Sequence, residues 1–225
     1  MIPDRRHEIS RLEAFSDAAF AFALTLLVVS LDVPRSYADL IRTMRGLPSF
    51  ACCFALLVWI WHEHNLFFRR YGLQDGATVF LNSVLMFVVL FYVYPLKFMF
   101  DSMFAQVSAD PTLTQMTLGQ LSRASAIYGL GFFVLFLIFA LLYRHAYRKR
   151  AELGLTAAEV FDVQNFAVHH LLSAGVGLTS MMFALLAPAR LAFIAPTLFG
   201  LMGPVHWGYG VYTERKRRTV VAAQR

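Results

Sequence analysis

The sequence predicts an all-α, polytopic membrane protein with six transmembrane helices. Its 225 residues are 58% hydrophobic and 15% charged, whereas soluble domains are about 45–50% apolar and about 25% charged. The apolar residues form runs of about 20, which is the length that a helix needs to cross about 30 Å of hydrocarbon. Because these runs leave almost no chain for a soluble domain, we expect a single six-span domain over residues 1–225.

The predicted spans follow one another through short connections. The longest polar stretch, residues 101–123, separates the third span from the fourth, and only residues 188–190 separate the fifth from the sixth. The sixth span contains several prolines and glycines, which favour a kink or a break that neighbouring helices must satisfy. The six predicted spans are residues 11–33, 47–68, 77–100, 124–147, 166–187 and 191–212.

The basic residues lie at the ends of the apolar runs, so the net charge of +6 indicates contact with anionic lipid headgroups rather than nucleic acid. Most of the 20 lysines and arginines fall on the side of the N-terminus, which by the positive-inside rule is the cytoplasm. We therefore expect a multi-pass protein of the inner (plasma) membrane with short, basic cytoplasmic termini at residues 1–10 and 213–225. The basic residues left outside are Arg35, Arg42, Arg45, Lys97, Arg123 and Arg190.

The first span carries a charged residue inside an apolar run. Ser10 and Glu13 fit a capping box, which predicts that a helix begins at Arg11. Asp17 then lies about two turns inside that helix. A carboxylate at such a position needs a cation or hydrogen-bond donors nearby. Arg11 and the polar residues of other spans are the candidate partners.

Two stripes run along the first span at 100° per residue. One consists of Asp17, Ala21, Leu24, Val28 and Leu31. The other consists of Phe15, Ala18, Phe22, Thr25, Val29 and Asp32, with Leu26 beside it. The second stripe holds the only hydroxyl group in the middle of the span. It fits either a hydrophobic constriction that gates by dewetting or ordinary helix packing, and spacing alone leaves both open.

Five histidines lie in the second, fifth and sixth predicted spans. His62 and His64 lie on opposite faces of one helix, so they make a poor metal pair. We expect one to point into the bundle towards the polar part of the first span, and the other to lie at the interface beside the tryptophans. His169, His170 and His206 fit packed or interfacial positions. A membrane oxidoreductase that holds haem through these histidines is one alternative function.

Motifs of known catalytic and metal sites are absent from the sequence. It contains no GxSxG, HExxH, P-loop or CxxC pattern, and the adjacent Cys52 and Cys53 lie inside an apolar run where they form neither a disulfide nor a metal pair. We therefore expect no enzyme, no metal site and no cofactor. A secondary transporter remains a second alternative, supported by the interrupted sixth span but by no visible internal repeat.

Three short motifs occur in the first three predicted spans: RxxxFSD at the head of the first, WxxH at the end of the second and an asparagine in the third. The residues that form them are Arg11, Phe15, Ser16, Asp17, Trp61, His64 and Asn82. This combination resembles the signature of the transmembrane-protein-175 family of potassium channels. It implies a homotetramer of six-span subunits that conducts potassium ions through a central pore. The pore is then lined by the first helix, without a carbonyl selectivity filter.

The same resemblance implies roles for individual residues. The narrowest point of the pore falls on Phe22, where the family usually has Ile or Leu, and Ala18 replaces a common Gly. Further layers fall on Thr25, Leu26 and Val29. The polar residues Arg11, Ser16, Asp17, His64 and Asn82 are implied to form a buried network that fixes the first helix rather than touching ions.

Overall fold

The computed structural model describes residues 9–31, 33–108 and 116–222. Asp32, residues 109–115 of the polar stretch after the third span, and residues 1–8 and 223–225 of the two predicted termini lie outside the described residues. Within these ranges the regular structure is entirely helical, which confirms the predicted fold class. The α-helices are α1 (Arg11–Val29), α2 (Tyr37–Arg45), α3 (Leu47–Tyr71), α4 (Gly76–Ser108), α5 (Leu118–Arg148), α6 (Ala157–Leu186), α7 (Ile194–Thr197) and α8 (Met202–Ala222).

Five helices of the described chain are long and apolar enough to cross a membrane, namely α1, α3, α4, α5 and α6. They coincide with the first five predicted spans, but two of them begin earlier than predicted. Thr117 caps α5 in a capping box with Gln120, and Thr156 caps α6 in another with Glu159. These earlier starts add about two turns to α5 and two to three turns to α6, and a hydropathy pattern cannot detect such polar turns.

The sixth predicted span is interrupted, as its prolines and glycines indicate. A 3₁₀ turn at Ala189–Leu191, the short α7 and a second 3₁₀ turn at Leu198–Leu201 precede α8. Proline lacks a backbone N–H, and glycine destabilises a helix interior, so a continuous helix is disfavoured here. α8 then continues to Ala222, so most of the predicted basic C-terminal segment is helical.

A short amphipathic helix, α2, lies between the first two spans and was not predicted. Ser36 caps it by accepting a hydrogen bond from the backbone N–H of Asp39. None of its residues is buried. Its apolar side chains recur at helical spacing, so this short segment does carry the sequence pattern of an amphipathic helix.

The most extensive contact between helices joins α5 to α6. The backbones approach so closely that a Cβ atom on Gly129 would lie 2.9 Å from the carbonyl oxygen of Gly177. Small residues permit such an approach between membrane helices. α4 connects this pair to α1 and α3, so one continuous core runs from α1 to α6.

Candidate functional site

The rotation of α1 is set by one narrow buried stripe. The side chains of Ser16, Phe20, Ala23 and Leu27 are buried, and they recur at the spacing of one helical face. Ser10 caps the helix and exchanges hydrogen bonds with Glu13, which fixes where this face begins. The opposite face of α1 has no partner within the described chain.

A buried hydrogen-bond chain connects α1, α3 and α4. The amide nitrogen of Asn82 donates to Ser16 Oγ at 2.9 Å, and Ser16 Oγ donates to the carbonyl oxygen of Leu12 at 2.8 Å. His64 Nε2 lies 2.8 Å from Asn82 Oδ1. Since an amide oxygen only accepts, His64 carries its proton on Nε2 and donates it to Asn82. All three side chains are at most 1% exposed, so each depends on this chain for its hydrogen bonds.

The aromatic surroundings of His64 fix the orientation of its ring. The Phe68 ring centroid lies 4.6 Å from that of the imidazole, and Phe20 meets it edge-on at 5.6 Å. The exposed His62 points away from this site. One histidine thus lies inside the bundle and the other outside it.

Asp17 forms a second connection between α1 and α3. Its half-buried carboxylate accepts a hydrogen bond of 2.8 Å from the indole N–H of Trp61. Arg11 and Phe15 are exposed and stand apart from these contacts. Arg11 is the first residue of α1, so its side chain is directed towards the end of the bundle rather than into it.

The residues proposed from the sequence to line a pore lie mostly on the unpartnered face of α1. Phe22 is 55% exposed and Val29 is 71% exposed. Thr25 is exposed as well, and its hydroxyl donates to the carbonyl oxygen of Ala21 at 2.9 Å. Leu26 differs because it is half-buried and packs against the core. Three of the four residues thus share one surface, and Leu26 lies at its edge.

The histidines of the last two spans pack against each other or against aromatic rings. His169 Nδ1 lies 2.8 Å from His206 Nδ1, and Ser173 Oγ lies 2.9 Å from His206 Nε2. His170 stacks on Phe139 and Tyr143 with ring centroids 5.1 Å apart in each case. Among the residues that the structure describes, no three His, Cys, Asp or Glu side chains converge as metal ligands.

One close approach between a histidine and a carboxylate in the same region was not predicted from the sequence. His170 Nε2 lies 3.7 Å from the carboxylate of Glu63, across the boundary between α6 and α3. The two residues are 107 positions apart in the sequence. Residue spacing along a single helix therefore could not have predicted this contact.

Charged contacts at the ends of the bundle join segments that the sequence places on one membrane side. Asp75, which precedes α4, lies 2.7 Å from His145 Nε2 and 3.0 Å from Lys149 Nζ. Burial alone would raise the pKa of Asp75, but hydrogen bonds from Thr78, Lys149 and His145 hold it well below its usual range. Asp162 accepts two hydrogen bonds from Arg217 in the same way. These pairs fasten the start of α4 to the end of α5, and α6 to α8.

Comparisons with known proteins point to a single family. Residues 11–92, which contain the buried hydrogen-bond chain, match the family described as endosomal/lysosomal potassium channel TMEM175. A protein of Marivirga tractuosa named potassium channel is 37% identical over 228 residues, covering 96% of this chain and 92% of that protein. The matching family and this relative are named as channels and not as enzymes. The alternative of a haem-binding oxidoreductase therefore finds no support in these comparisons.

Solved structures of the same family share the fold. The crystal structure of a variant of the potassium channel MtTMEM175, in complex with a nanobody–MBP fusion protein, has a TM-score of 0.84 at 35% identity. It covers 95% of this chain and 97% of that one. A lysosomal potassium-selective channel TMEM175 homolog from Chamaesiphon minutus has a TM-score of 0.57 at 22% identity, with 90% and 96% covered. At 22% identity, the similarity to this second structure supports a shared fold and nothing further.

Proposed function

Because the chain belongs to the TMEM175 family of potassium channels, we propose that it conducts potassium ions through the central pore of a homotetramer, lined by α1. The observation that carries this proposal is the contrast between the two faces of α1. One face is anchored by Ser16 and Asp17, while the face of Phe22, Thr25 and Val29 is left uncovered. Four such faces around one axis enclose a channel whose wall is apolar except at Thr25.

The proposed pore consists of successive layers along α1. A helix rises 1.5 Å per residue, so the Phe22 and Thr25 layers are about 4.5 Å apart and the Val29 layer follows after about 6 Å more. Four phenylalanine rings at one level make the narrowest apolar constriction, which resists wetting and so acts as the gate. Leu26 packs at the edge of this surface and supports the layer of Thr25.

Thr25 is the polar group through which we propose that ions pass. Its hydroxyl hydrogen is occupied by the carbonyl oxygen of Ala21, so the oxygen retains acceptor capacity towards a cation. A ring of four hydroxyl oxygens replaces only part of the hydration shell of an ion. Selectivity from such a ring is weaker than from stacked carbonyl oxygens, so we expect a modest preference for potassium over sodium.

The buried hydrogen-bond chain has a positioning role in this proposal. A rotation of α1 by one residue, about 100°, would turn Phe22 away from the axis and expose Ser16. The contacts of Ser16 to Asn82, and of Asp17 to Trp61, oppose that rotation. We further propose that both termini are cytoplasmic and that the protein lies in the inner membrane, which the distribution of basic residues supports.

Ion flux into proteoliposomes tests the proposal. Potassium and sodium uptake are measured in parallel for the purified wild type, for Phe22→Ala and for Phe91→Ala, which removes an exposed ring from α4 instead. We expect potassium flux from the wild type, faster flux from Phe22→Ala and unchanged flux from Phe91→Ala. Intact protein without flux in any of the three would reject the proposal, and flux that needs a counter-gradient would favour a transporter.

A further inference from the structure

The short helix α2 has one apolar face, which the described chain leaves exposed. Its apolar side chains occur at positions i, i+3, i+4 and i+7 of the helix, which makes a stripe about 100° wide. The side chains are those of Tyr37, Leu40, Ile41 and Met44, and they are between 36% and 78% exposed. Arg42 lies on the opposite side of the helix.

The length of α2 indicates that this face needs a partner. Isolated helices shorter than about 12–15 residues are marginal in water, and most helical stability in proteins comes from the packing of an apolar face. α2 has nine residues and is capped at both ends, by Ser36 at its start and by Gly46, whose N–H donates to the carbonyl oxygen of Arg42 at 3.3 Å, at its end. Since the described chain buries none of its residues, α2 depends on its surroundings for packing.

The position of α2 between two membrane helices defines those surroundings. Gly46 caps the end of α2 and also the start of α3, so the membrane-capable α3 begins immediately after α2. The 25 residues of α3 extend over about 37 Å. This length exceeds the hydrocarbon thickness of about 30 Å, so the first turn of α3 reaches the headgroup region. α2 therefore lies where the membrane meets water.

The charge of the segment fits a surface of phospholipid headgroups. Arg35 precedes the cap of α2, Arg42 lies opposite the apolar face and Arg45 lies beside it, and all three are exposed. Asp39 is the only acidic residue between positions 35 and 45, so the segment carries a net charge of +2. Guanidinium groups bind phosphate oxygens through paired N–H donors. Amphipathic helices with a basic polar face bind at the boundary between headgroups and acyl chains.

A second copy of the chain fits this face less well than lipid does. Stable protein interfaces involve about 20–30 residues on each side. The apolar face of α2 offers four side chains on nine residues, which is too few to hold two subunits together. A lipid surface needs no matching partner and accepts a face of any size.

We propose that α2 is an interfacial helix whose apolar face binds the lipid surface of the membrane. Tyr37, Leu40, Ile41 and Met44 insert between the headgroups and the adjoining part of the acyl chains, and the arginines lie at the level of the lipid phosphates. α2 thereby holds the connection between the first two spans against the membrane. The proposal requires that α1 and α3 cross the membrane, and it does not rest on conduction by the protein.

Spin-label accessibility along α2 tests the proposal. Each residue of Tyr37–Arg45 is replaced by cysteine in turn, in a background with Cys52→Ala and Cys53→Ala, and the labelled protein is reconstituted in phosphatidylcholine vesicles. Collisions of the nitroxide with oxygen, which concentrates among acyl chains, are compared with collisions with a water-soluble nickel chelate. Met44 and Arg42 form the matched pair, since they lie about 160° apart and both are at least half exposed in the single chain.

We expect the ratio of oxygen to nickel collisions to vary along α2 with a period of 3.6 residues and to be highest on the apolar face. The label at Met44→Cys should meet nickel several-fold less often than the label at Arg42→Cys. Adding Leu40→Gln and Met44→Gln to Ile41→Cys should lower the ratio at Ile41, because two inserted side chains become polar. Adding Ala38→Gln, which lies outside the apolar stripe, should leave that ratio unchanged.

Three outcomes would overturn the proposal. Frequent collisions with nickel at every position would place the apolar face in water. A label at Met44→Cys that meets neither oxygen nor nickel would indicate that a second copy of the chain covers the face. A ratio without the helical period would show that α2 does not lie on the membrane as a helix with one inserted face.

Discussion

The indole N–H of Trp61 donates a hydrogen bond of 2.8 Å to the carboxylate of Asp17, which joins the start of α1 to α3. A carboxylate inside an apolar helix is costly unless a donor or cation meets it. Here the donor is a neutral aromatic residue on a different helix, and Arg11 remains exposed at the helix end. Asp17 is therefore placed to hold α1 in position, and it faces away from the surface of Phe22 and Val29.

Loss of the Asp17 carboxylate is expected to weaken the assembled protein more than its ion preference. Asp17→Ala leaves the Trp61 N–H without a partner, and a hydrogen bond to a charged group contributes about 1.5–3 kcal/mol. The melting temperature of the purified protein and the potassium-to-sodium flux ratio are measured together. Asp39→Ala, which removes an exposed carboxylate from α2, should leave both unchanged. A normal melting temperature with an altered flux ratio would assign Asp17 to the ion path.

The buried hydrogen-bond chain predicts a large effect from Asn82. Asn82→Leu removes a donor and an acceptor at once, so His64 and Ser16 are left buried without their partner. The expected loss is about 1–3 kcal/mol in the free energy of unfolding. Ser83→Ala, at the exposed neighbouring position, is the control and should cost little. Equal denaturation midpoints for the two variants would show that this chain does not stabilise the fold.

Gly129 is expected to be intolerant of even one added methyl group. In Gly129→Ala, the Cβ atom meets the backbone of α6 at 2.9 Å, and backbone cannot move aside as a flexible side chain can. Overpacking of this kind costs about 1–3 kcal/mol. Gly175→Ala on α6 meets no atom within 4 Å and should be neutral or slightly stabilising. A melting temperature of Gly129→Ala at or above that of Gly175→Ala would contradict the close packing of α5 and α6.

The lowered pKa of Asp75 predicts a pH-dependent contribution to stability. Because its folded pKa lies below the unfolded value of about 3.9, the contribution is fully present above that value and is lost as the pH falls through the folded pKa. Asp75→Asn should therefore melt at a lower temperature than the wild type at neutral pH. The difference should narrow only in strongly acidic solution.

The control for Asp75 is another carboxylate that contacts Lys149. Glu152 is mostly exposed and lies 3.1 Å from Lys149 Nζ, so Glu152→Gln should change the melting temperature little at any pH. A difference between Asp75→Asn and wild type that stays constant down to the most acidic pH would reject the ion-pair explanation.

The sequence was informative where a residue's neighbours in the chain decide its environment. Ser10 and Glu13 predicted the start of α1, and five of the six spans predicted from hydrophobic runs correspond to long apolar helices of the described chain. The proline and glycine content predicted the interruption before α8. The spacing of His62 and His64 on opposite faces anticipated that one would be buried and the other exposed.

The rest depends on contacts between residues that are distant in the sequence. The pairing of Glu63 with His170, and of Asp75 with Lys149, becomes visible only when the helices are placed side by side. The half-buried position of Leu26 depends on how α1 rotates against α3 and α4, which a stripe drawn on an isolated helix leaves undetermined.

Thiol accessibility along α1 tests most directly whether this helix lines the pore. In a background with Cys52→Ala and Cys53→Ala, potassium flux is measured before and after a charged, water-soluble thiol reagent acts on Thr25→Cys or Val28→Cys. Both positions are exposed in the single chain, but Val28 lies outside the stripe of Phe22, Thr25 and Val29. We predict that the reagent blocks flux through Thr25→Cys and leaves flux through Val28→Cys unchanged. Block at Val28→Cys with none at Thr25→Cys would contradict the proposed pore surface.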